Sequence, residues 1–150
     1  MTSKKQNNPE RFAELTLLKK SENQYPDTPE RAKLEVFKNL YRDRNYEITF
    51  DCPEFTSLCP VTSQPDFGHI VINYIPDEYC VESKSLKLHL FSHRNQNTFH
   101  EEAVNSILNA VVAACHPRWA EVVGNFRPRG GIAINVRAAT GIKPDQGYVK

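Results

Sequence analysis

Cys59 and Asp66 stand seven residues apart in Cys59-Pro60-Val61-Thr62-Ser63-Gln64-Pro65-Asp66, a thiol and a carboxylate near enough to meet across a loop. A thiol acts as a nucleophile when its thiolate forms near neutral pH at a reachable site. A neighbouring carboxylate can carry the proton that the thiol releases. The same residues have an inert reading, with Cys59 a small buried hydrophobe and Asp66 a turn residue of Pro65-Asp66-Phe67-Gly68. On spacing alone the inert reading is the simpler one.

Other residues also have two readings. Glu101, the fourth residue of Thr98-Phe99-His100-Glu101, has capping-box spacing, worth about 1 kcal/mol. With His100 it can instead meet a ligand at a helix start, where a carboxylate accepts two hydrogen bonds from an amidine-like ring edge. Lys84 and Lys87, if helical, share a face suited to a phosphate-bearing ligand, or to plain solvent. The turn Arg127-Pro128-Arg129-Gly130-Gly131 brings two guanidiniums that can cradle an anion, or it only closes a hairpin. Zinc would need Cys52, Cys59 and His69, or Cys115 with His116, and neither set has the paired spacing of structural sites. No Gly-x-Gly-x-x-Gly or phosphate-loop motif is present, so a nucleotide cofactor needs a less usual arrangement.

The elements that must position these groups follow from periodicity. Residues 1–24 read as a flexible tail in which Phe12, Leu15, Leu17 and Leu18 can dock on a partner surface. A turn at 26–29 leads into an expected short helix with Leu34, Phe37 and Leu40 at helical spacing. Tyr46, Ile48, Phe50 and Cys52 alternate with polar residues as a half-buried strand. Residues 53–68, rich in proline, read as an irregular loop, a favoured place for chemistry, followed by a strand at 69–75. Residues 81–94 fit a strand or a helix. Val104, Ile107, Leu108, Val111, Val112 and Cys115 form one helical stripe, stopped by Pro117. Residues 119–126 and 132–136 then read as two strands around the Arg-Pro-Arg-Gly-Gly turn. The order strand, strand, helix, helix, strand, strand implies an α+β domain with an antiparallel sheet.

Composition narrows the partners. A chain of 150 residues with 39% hydrophobic and 25% charged residues reads as one globular domain. Its net charge of +1, from 19 Lys and Arg against 18 Asp and Glu, supplies no bulk field for a polyanion, so no direct nucleic-acid role is expected. No apolar run approaches the roughly 20 residues of a membrane span, and the polar, Lys-rich start lacks the core of a secretion signal. A reducing, cytoplasmic compartment is expected, with the four cysteines as free thiols.

Taken together, Glu82-Ser83-Lys84-Ser85-Leu86-Lys87-Leu88, Cys59-Pro60-Val61-Thr62, Gln64-Pro65-Asp66-Phe67, Phe99-His100-Glu101 and Pro128-Arg129-Gly130-Gly131 resemble the single-domain NADPH-dependent nitrile reductases that make 7-aminomethyl-7-deazaguanine for queuosine. The resemblance runs from about residue 24 to 141. It implies a tunnelling fold over 25–150, in which sheets from several subunits close into a barrel with helices outside and active sites lie between subunits of a homo-oligomer. It also implies a helix at 82–94. In roles, it implies Cys59 as the nucleophile that captures the nitrile of 7-cyano-7-deazaguanine and Asp66 as the proton donor. Val81, Glu82, Ser83, His100 and Glu101 are implied as substrate contacts, Lys84, Lys87 and Arg129 as contacts to the NADPH phosphates, and no catalytic metal. His89 departs from the family, which usually carries Tyr, Phe or Trp there, so altered packing is expected. The competing readings are a tunnelling-fold cyclohydrolase, which would need a metal, and a purine- or pterin-binding module with an inert Cys59.

Overall fold

The computed structural model describes residues 25–149. In chain order they form β1 (Val36–Lys38), β2 (Arg44–Asn45), β3 (Ile48–Leu58), β4 (Pro65–Ile75), β5 (Tyr79–Val81), α1 (Ser83–Ser92), a 3-10 turn (His93–Asn95), α2 (His100–Cys115), β6 (Trp119–Phe126), β7 (Asn135–Ala139) and β8 (Gly147–Tyr148). Strands β3, β4, β6 and β7 pair in that order as one antiparallel sheet, while β1 with β5 and β2 with β8 form short ladders. The expected α+β class, with two helices and an antiparallel sheet, is observed. The proposed tail at 1–24, with Phe12, Leu15, Leu17 and Leu18, lies outside the described residues.

The period of two sorts the sheet's faces. On β4 the even-numbered residues Ile70, Ile72 and Tyr74 are fully buried, and on β6 so are Ala120 and Val122. They share one cluster with Leu86 of α1 and with Val104, Ile107, Val111 and Cys115 of α2, so both helices cover that face. Each buried Ile or Val there contributes about 1.5–3 kcal/mol. The other face is polar: Thr49 donates to Asn73, His69 pairs with Asp51, and Arg137 pairs with Glu121. Among the described residues, no helix is long and apolar enough to cross a membrane.

Four expectations need correcting. The short helix expected around Leu34, Phe37 and Leu40 is instead the strand β1, whose partner β5 lies far along the chain. Phe37 and Leu40 are exposed, so that helical spacing marked no buried stripe. The loop expected at 53–68 shrinks to 59–64, because β3 continues past Pro53. A register shift between Cys52 and Phe55 absorbs the missing proline N–H on what is the sheet's edge strand. The last strand lies at Asn135–Ala139 rather than 132–136, since Ile132 belongs to the turn. Finally, the carboxylate that caps α2 is that of Glu102, which accepts from the N–H of Phe99 at 3.2 Å, and not that of Glu101. The ambiguous segment 81–94 is helical over α1, as the family resemblance implied.

Candidate functional site

Cys59 closes the end of β3 and opens the loop 59–64. The loop is drawn in on itself, with the Cys59 N–H donating to Gln64 O at 2.9 Å and the Ser63 N–H donating to Cys59 O at 2.8 Å. Ser63 takes a positive φ of 55° to make this turn. A second anchor ties the loop to the segment before α2: the Leu58 N–H donates to Gln96 O and the Thr98 N–H donates to Leu58 O, both at 3.0 Å. Within the turn the Thr62 hydroxyl, then the N–H groups of Thr62 and Val61, lie beside the half-buried Cys59 sulfur as its nearest polar groups, and the Arg129 charge adds to them. These donors favour the thiolate and hold the thiol at about 7, below its ordinary value. A larger share of it is therefore ionised at neutral pH than of an ordinary cysteine.

Asp66 occupies the end of the helix-facing row of β4, in phase with Ile70, Ile72 and Tyr74, and only 7% of it is exposed. Arg129 Nε lies 2.7 Å from Asp66 Oδ1, and His100 Nε2 lies 3.4 Å from Oδ2. Cross-strand from Asp66 is Ser57, whose buried Oγ has no hydrogen-bond partner among the described residues. The next even position, Gly68, faces Phe126 of β6. A Cβ on Gly68 would come within 2.8 Å of the Phe126 ring, and one on Gly124 within 2.6 Å of Val104. The two glycines thus open a slot for Phe126, which stacks flat on His100 at 3.9 Å and 4°. That stack fixes His100, the first residue of α2, against Asp66.

A cleft of about 370 Å³ gathers Cys59, Asp66, His100, Glu101, Arg129 and Ile134. Because Glu102 does the capping, the Glu101 carboxylate is left at the cleft with no hydrogen-bond partner among the described residues. The arrangement offers a thiol, a buried carboxylate and a second carboxylate without a hydrogen-bond partner among the described residues around one space.

The other expected site residues lie elsewhere on the chain. Val81 is buried, its N–H donating to Tyr74 Oη at 2.9 Å. Glu82 caps α1, accepting from the Lys84 N–H at 2.6 Å and the Ser85 N–H at 2.8 Å, and Ser83 is exposed beside it. Lys84 shares a hollow with Arg31 and Lys33, whereas Lys87 shares a different, largely apolar one with Phe91 and Arg94. The structure therefore does not bring Lys84, Lys87 and Arg129 together. His89, the departure from the family, is buried with Nδ1 donating to Ala32 O at 2.8 Å, and it meets His93 edge to face.

Thr62, Phe126 and the Asp66–Arg129 contact were not anticipated. Only Thr62 left a signal, since it stands three residues past Cys59, where a turn can fold back. The zinc candidates Cys52, Cys59 and His69, or Cys115 and His116, form no shell. No group of three or more His, Cys, Asp or Glu side chains is placed to hold a metal among the described residues.

Comparison with known proteins adds independent findings. A family described as QueF-like protein matches residues 65–145. A Streptococcus thermophilus protein named NADPH-dependent 7-cyano-7-deazaguanine reductase is 53% identical over 126 residues, covering 84% of this chain and 77% of its own. One of the same name from Staphylococcus saprophyticus is 48% identical over 143 residues, covering 95% and 86%. Among solved structures, the apo form of the archaeosine synthase QueF-Like matches with a TM-score of 0.58 at 24% identity, over 67% of this chain and 96% of that one. At that identity the likeness speaks for the fold alone.

Proposed function

We propose a reaction for this chain from one premise: it belongs to the family of the NADPH-dependent 7-cyano-7-deazaguanine reductases, the QueF-like proteins. The chain is an NADPH-dependent oxidoreductase that reduces the nitrile of 7-cyano-7-deazaguanine to the amine of 7-aminomethyl-7-deazaguanine, in the cytoplasm, on the way to queuosine. The observation that carries this reading is the single cleft in which a thiol held at about 7 meets Asp66 and an uncommitted Glu101.

A nitrile carbon is a poor acceptor until a nucleophile adds to it. Cys59 Sγ bonds to that carbon, one C–N π pair moves to nitrogen, and the proton lost by the thiol reaches nitrogen through Asp66. The product is a thioimide, neutral overall as its components were. NADPH, when bound, supplies hydride, and a nitrile-to-amine conversion needs two of them. Between the two reductions the C–S bond breaks, its electron pair leaves with Cys59, and an imine remains in the cleft. The nitrogen lone pair forms the C=N bond as sulfur leaves, and each of the two hydride additions is matched by one proton that Asp66 delivers to nitrogen and regains from solvent. The covalent link hinders escape of the partly reduced substrate.

Glu101 accepts from the amino group and ring N–H of the deazapurine, and His100, flat against Phe126, forms part of the wall. A ligand lacking those donors would leave a carboxylate unpaired at a cost of a few kcal/mol, which is selectivity. Lys84 and Lys87 fit the cofactor's phosphates in one respect: both are exposed and neither has an acidic partner among the described residues.

The site is completed, in this reading, by a neighbouring subunit that brings its Val81, Glu82 and Ser83 to the Cys59 cleft. Two features support an oligomer. β3, 11 residues long, is an edge strand whose outer side is bridged at Leu58 by the segment 96–98 and is otherwise without a strand partner among the described residues, an edge that a monomer would normally protect. The sheet's second face is polar, as the inside of a water-filled barrel closed by several subunits requires. Residues 25–150 then act as one tunnelling-fold catalytic domain. The test is intact-protein mass spectrometry after mixing with 7-cyano-7-deazaguanine and no NADPH. One added substrate mass is expected, absent in Cys59→Ala, and a wild type without an adduct would remove the thioimide from the account.

A further inference from the structure

Arg129 belongs to the segment from which the family resemblance draws a phosphate contact, yet its Nε and Nη2 are committed within the chain, leaving only Nη1 without a partner among the described residues. Nε lies 2.7 Å from Asp66 Oδ1. Nη2 donates to Gln64 O and to Pro65 O, each at 3.1 Å. The three acceptors are successive residues, so one planar guanidinium grips the loop exit and the first turn of β4 together. Gln64 O also accepts from the Cys59 N–H, which makes that carbonyl common to the nucleophile's backbone and the clamp.

The clamp is itself held rigidly. Arg129 and Ile132 exchange both main-chain hydrogen bonds at 3.0 Å, around Gly130 at φ 55° and Gly131 at φ 78°. Two successive positive φ angles are the mark of a type I′ hairpin turn, which glycine adopts without strain. Just upstream, the Arg127 N–H donates to Phe67 O at 2.9 Å, fastening the start of the turn to β4. A phosphate held bidentately would need Nε or Nη2 as well as Nη1, and so would have to displace a nearly buried carboxylate or leave carbonyls without their donor.

We infer that Arg129 is a positioning residue for Cys59 and Asp66, and not a contact to the cofactor's phosphates. It closes the loop 59–64 and aims the Asp66 carboxylate, and both act before any hydride is transferred. The inference deepens the proposed reaction and rests on it. The Arg129 charge also lies near enough to Cys59 to favour its thiolate.

The two roles separate experimentally, because adduct formation needs no cofactor. In purified oligomer of Arg129→Gln, the rate of adduct formation without NADPH is expected to fall at least about tenfold. The Kd for NADP+, measured by calorimetry on the same preparation, is expected to stay within about twofold of wild type. Arg129→Lys should recover part of the rate, since an ammonium reaches Asp66 but cannot span both carbonyls. Wild-type adduct formation in Arg129→Gln, together with a tenfold or greater loss of NADP+ affinity, would overturn the inference and make Arg129 a cofactor contact. If the wild type itself formed no adduct, the proposed reaction would fail separately. The positioning role would then be read from alkylation of Cys59 by iodoacetamide: an upward shift of its pH midpoint in Arg129→Gln supports the clamp, and an unchanged profile overturns it.

Discussion

Two groups of buried polar side chains lie under the same sheet face and differ in every respect that matters for chemistry. At one end Asp66 has Arg129 and His100 as partners and opens onto a cleft. Deeper in, His89 and His93 meet edge to face, and the Nε2 atoms of both are buried without partners among the described residues. Burial lowers the pKa of both imidazoles, and His93, further opposed by His89 and only partly offset by Glu30, is pushed down to about 4. Asp66 is buried with polar partners beside a space that a ligand can enter, so its carboxylate can take part in chemistry. Burial without an opposite charge keeps an imidazole neutral and makes it packing. His89 therefore belongs with the core, as a flat ring that also bonds Ala32 O.

The contrast can be broken first at Asp66. Replacement by Asn keeps the shape but not the proton, so turnover should fall by about 10²–10⁴-fold while substrate affinity changes little. Equal losses in turnover and affinity would remove Asp66 as the proton carrier. The next effect belongs to the buried imidazoles and concerns stability. His93 titrates at about 4 when folded and near 6.5 when unfolded, so below pH 6.5 the unfolded chain binds the extra proton. Stability is thus fully present above pH 6.5 and declines as pH falls toward 4, by up to about 3 kcal/mol. Denaturant unfolding at fixed protein concentration should show this slope in wild type and a flatter one in His93→Phe. Identical slopes would mean that the ring is not held neutral. The smallest effect is at Glu101. On a Cys59→Ala background, where capture is absent, Glu101→Gln should weaken substrate binding by about 10–100-fold, the worth of a charged hydrogen bond. An unchanged Kd would take Glu101 out of recognition.

How much of this could be read from the chain depends on the range of each interaction. α2 and β6 were legible because Val104, Ile107, Leu108 and Val111 repeat at helical spacing, and because Trp119, Ala120, Val122, Val123 and Phe126 gather between Pro117 and the Arg-Pro-Arg-Gly-Gly turn. Cys59 and Asp66 were legible as a thiol and a carboxylate seven residues apart, but spacing alone favoured the inert reading, and the resemblance of the surrounding motifs was needed to favour chemistry. β1 was misread because its partner β5 comes from a distant part of the chain, and non-local pairing leaves no trace in a local window. The clamp on Asp66 had the same cause: Arg129 was noticed, but which group it faces depends on how the β6–β7 turn folds over β4. Glu101 and Glu102 are adjacent, and a one-residue offset in where α2 begins decided which of them caps.

The central claim is that Cys59 is a nucleophile whose thiolate forms near neutrality because the polar groups of its own turn lie beside the sulfur. The direct test is the rate of adduct formation with 7-cyano-7-deazaguanine, without NADPH, followed by intact mass across a range of pH. A midpoint near 7, with no adduct at any pH in Cys59→Ala, is the predicted result. A midpoint at about 8.5 or above, the range of an ordinary thiol, or an adduct that persists in Cys59→Ala, would contradict the account.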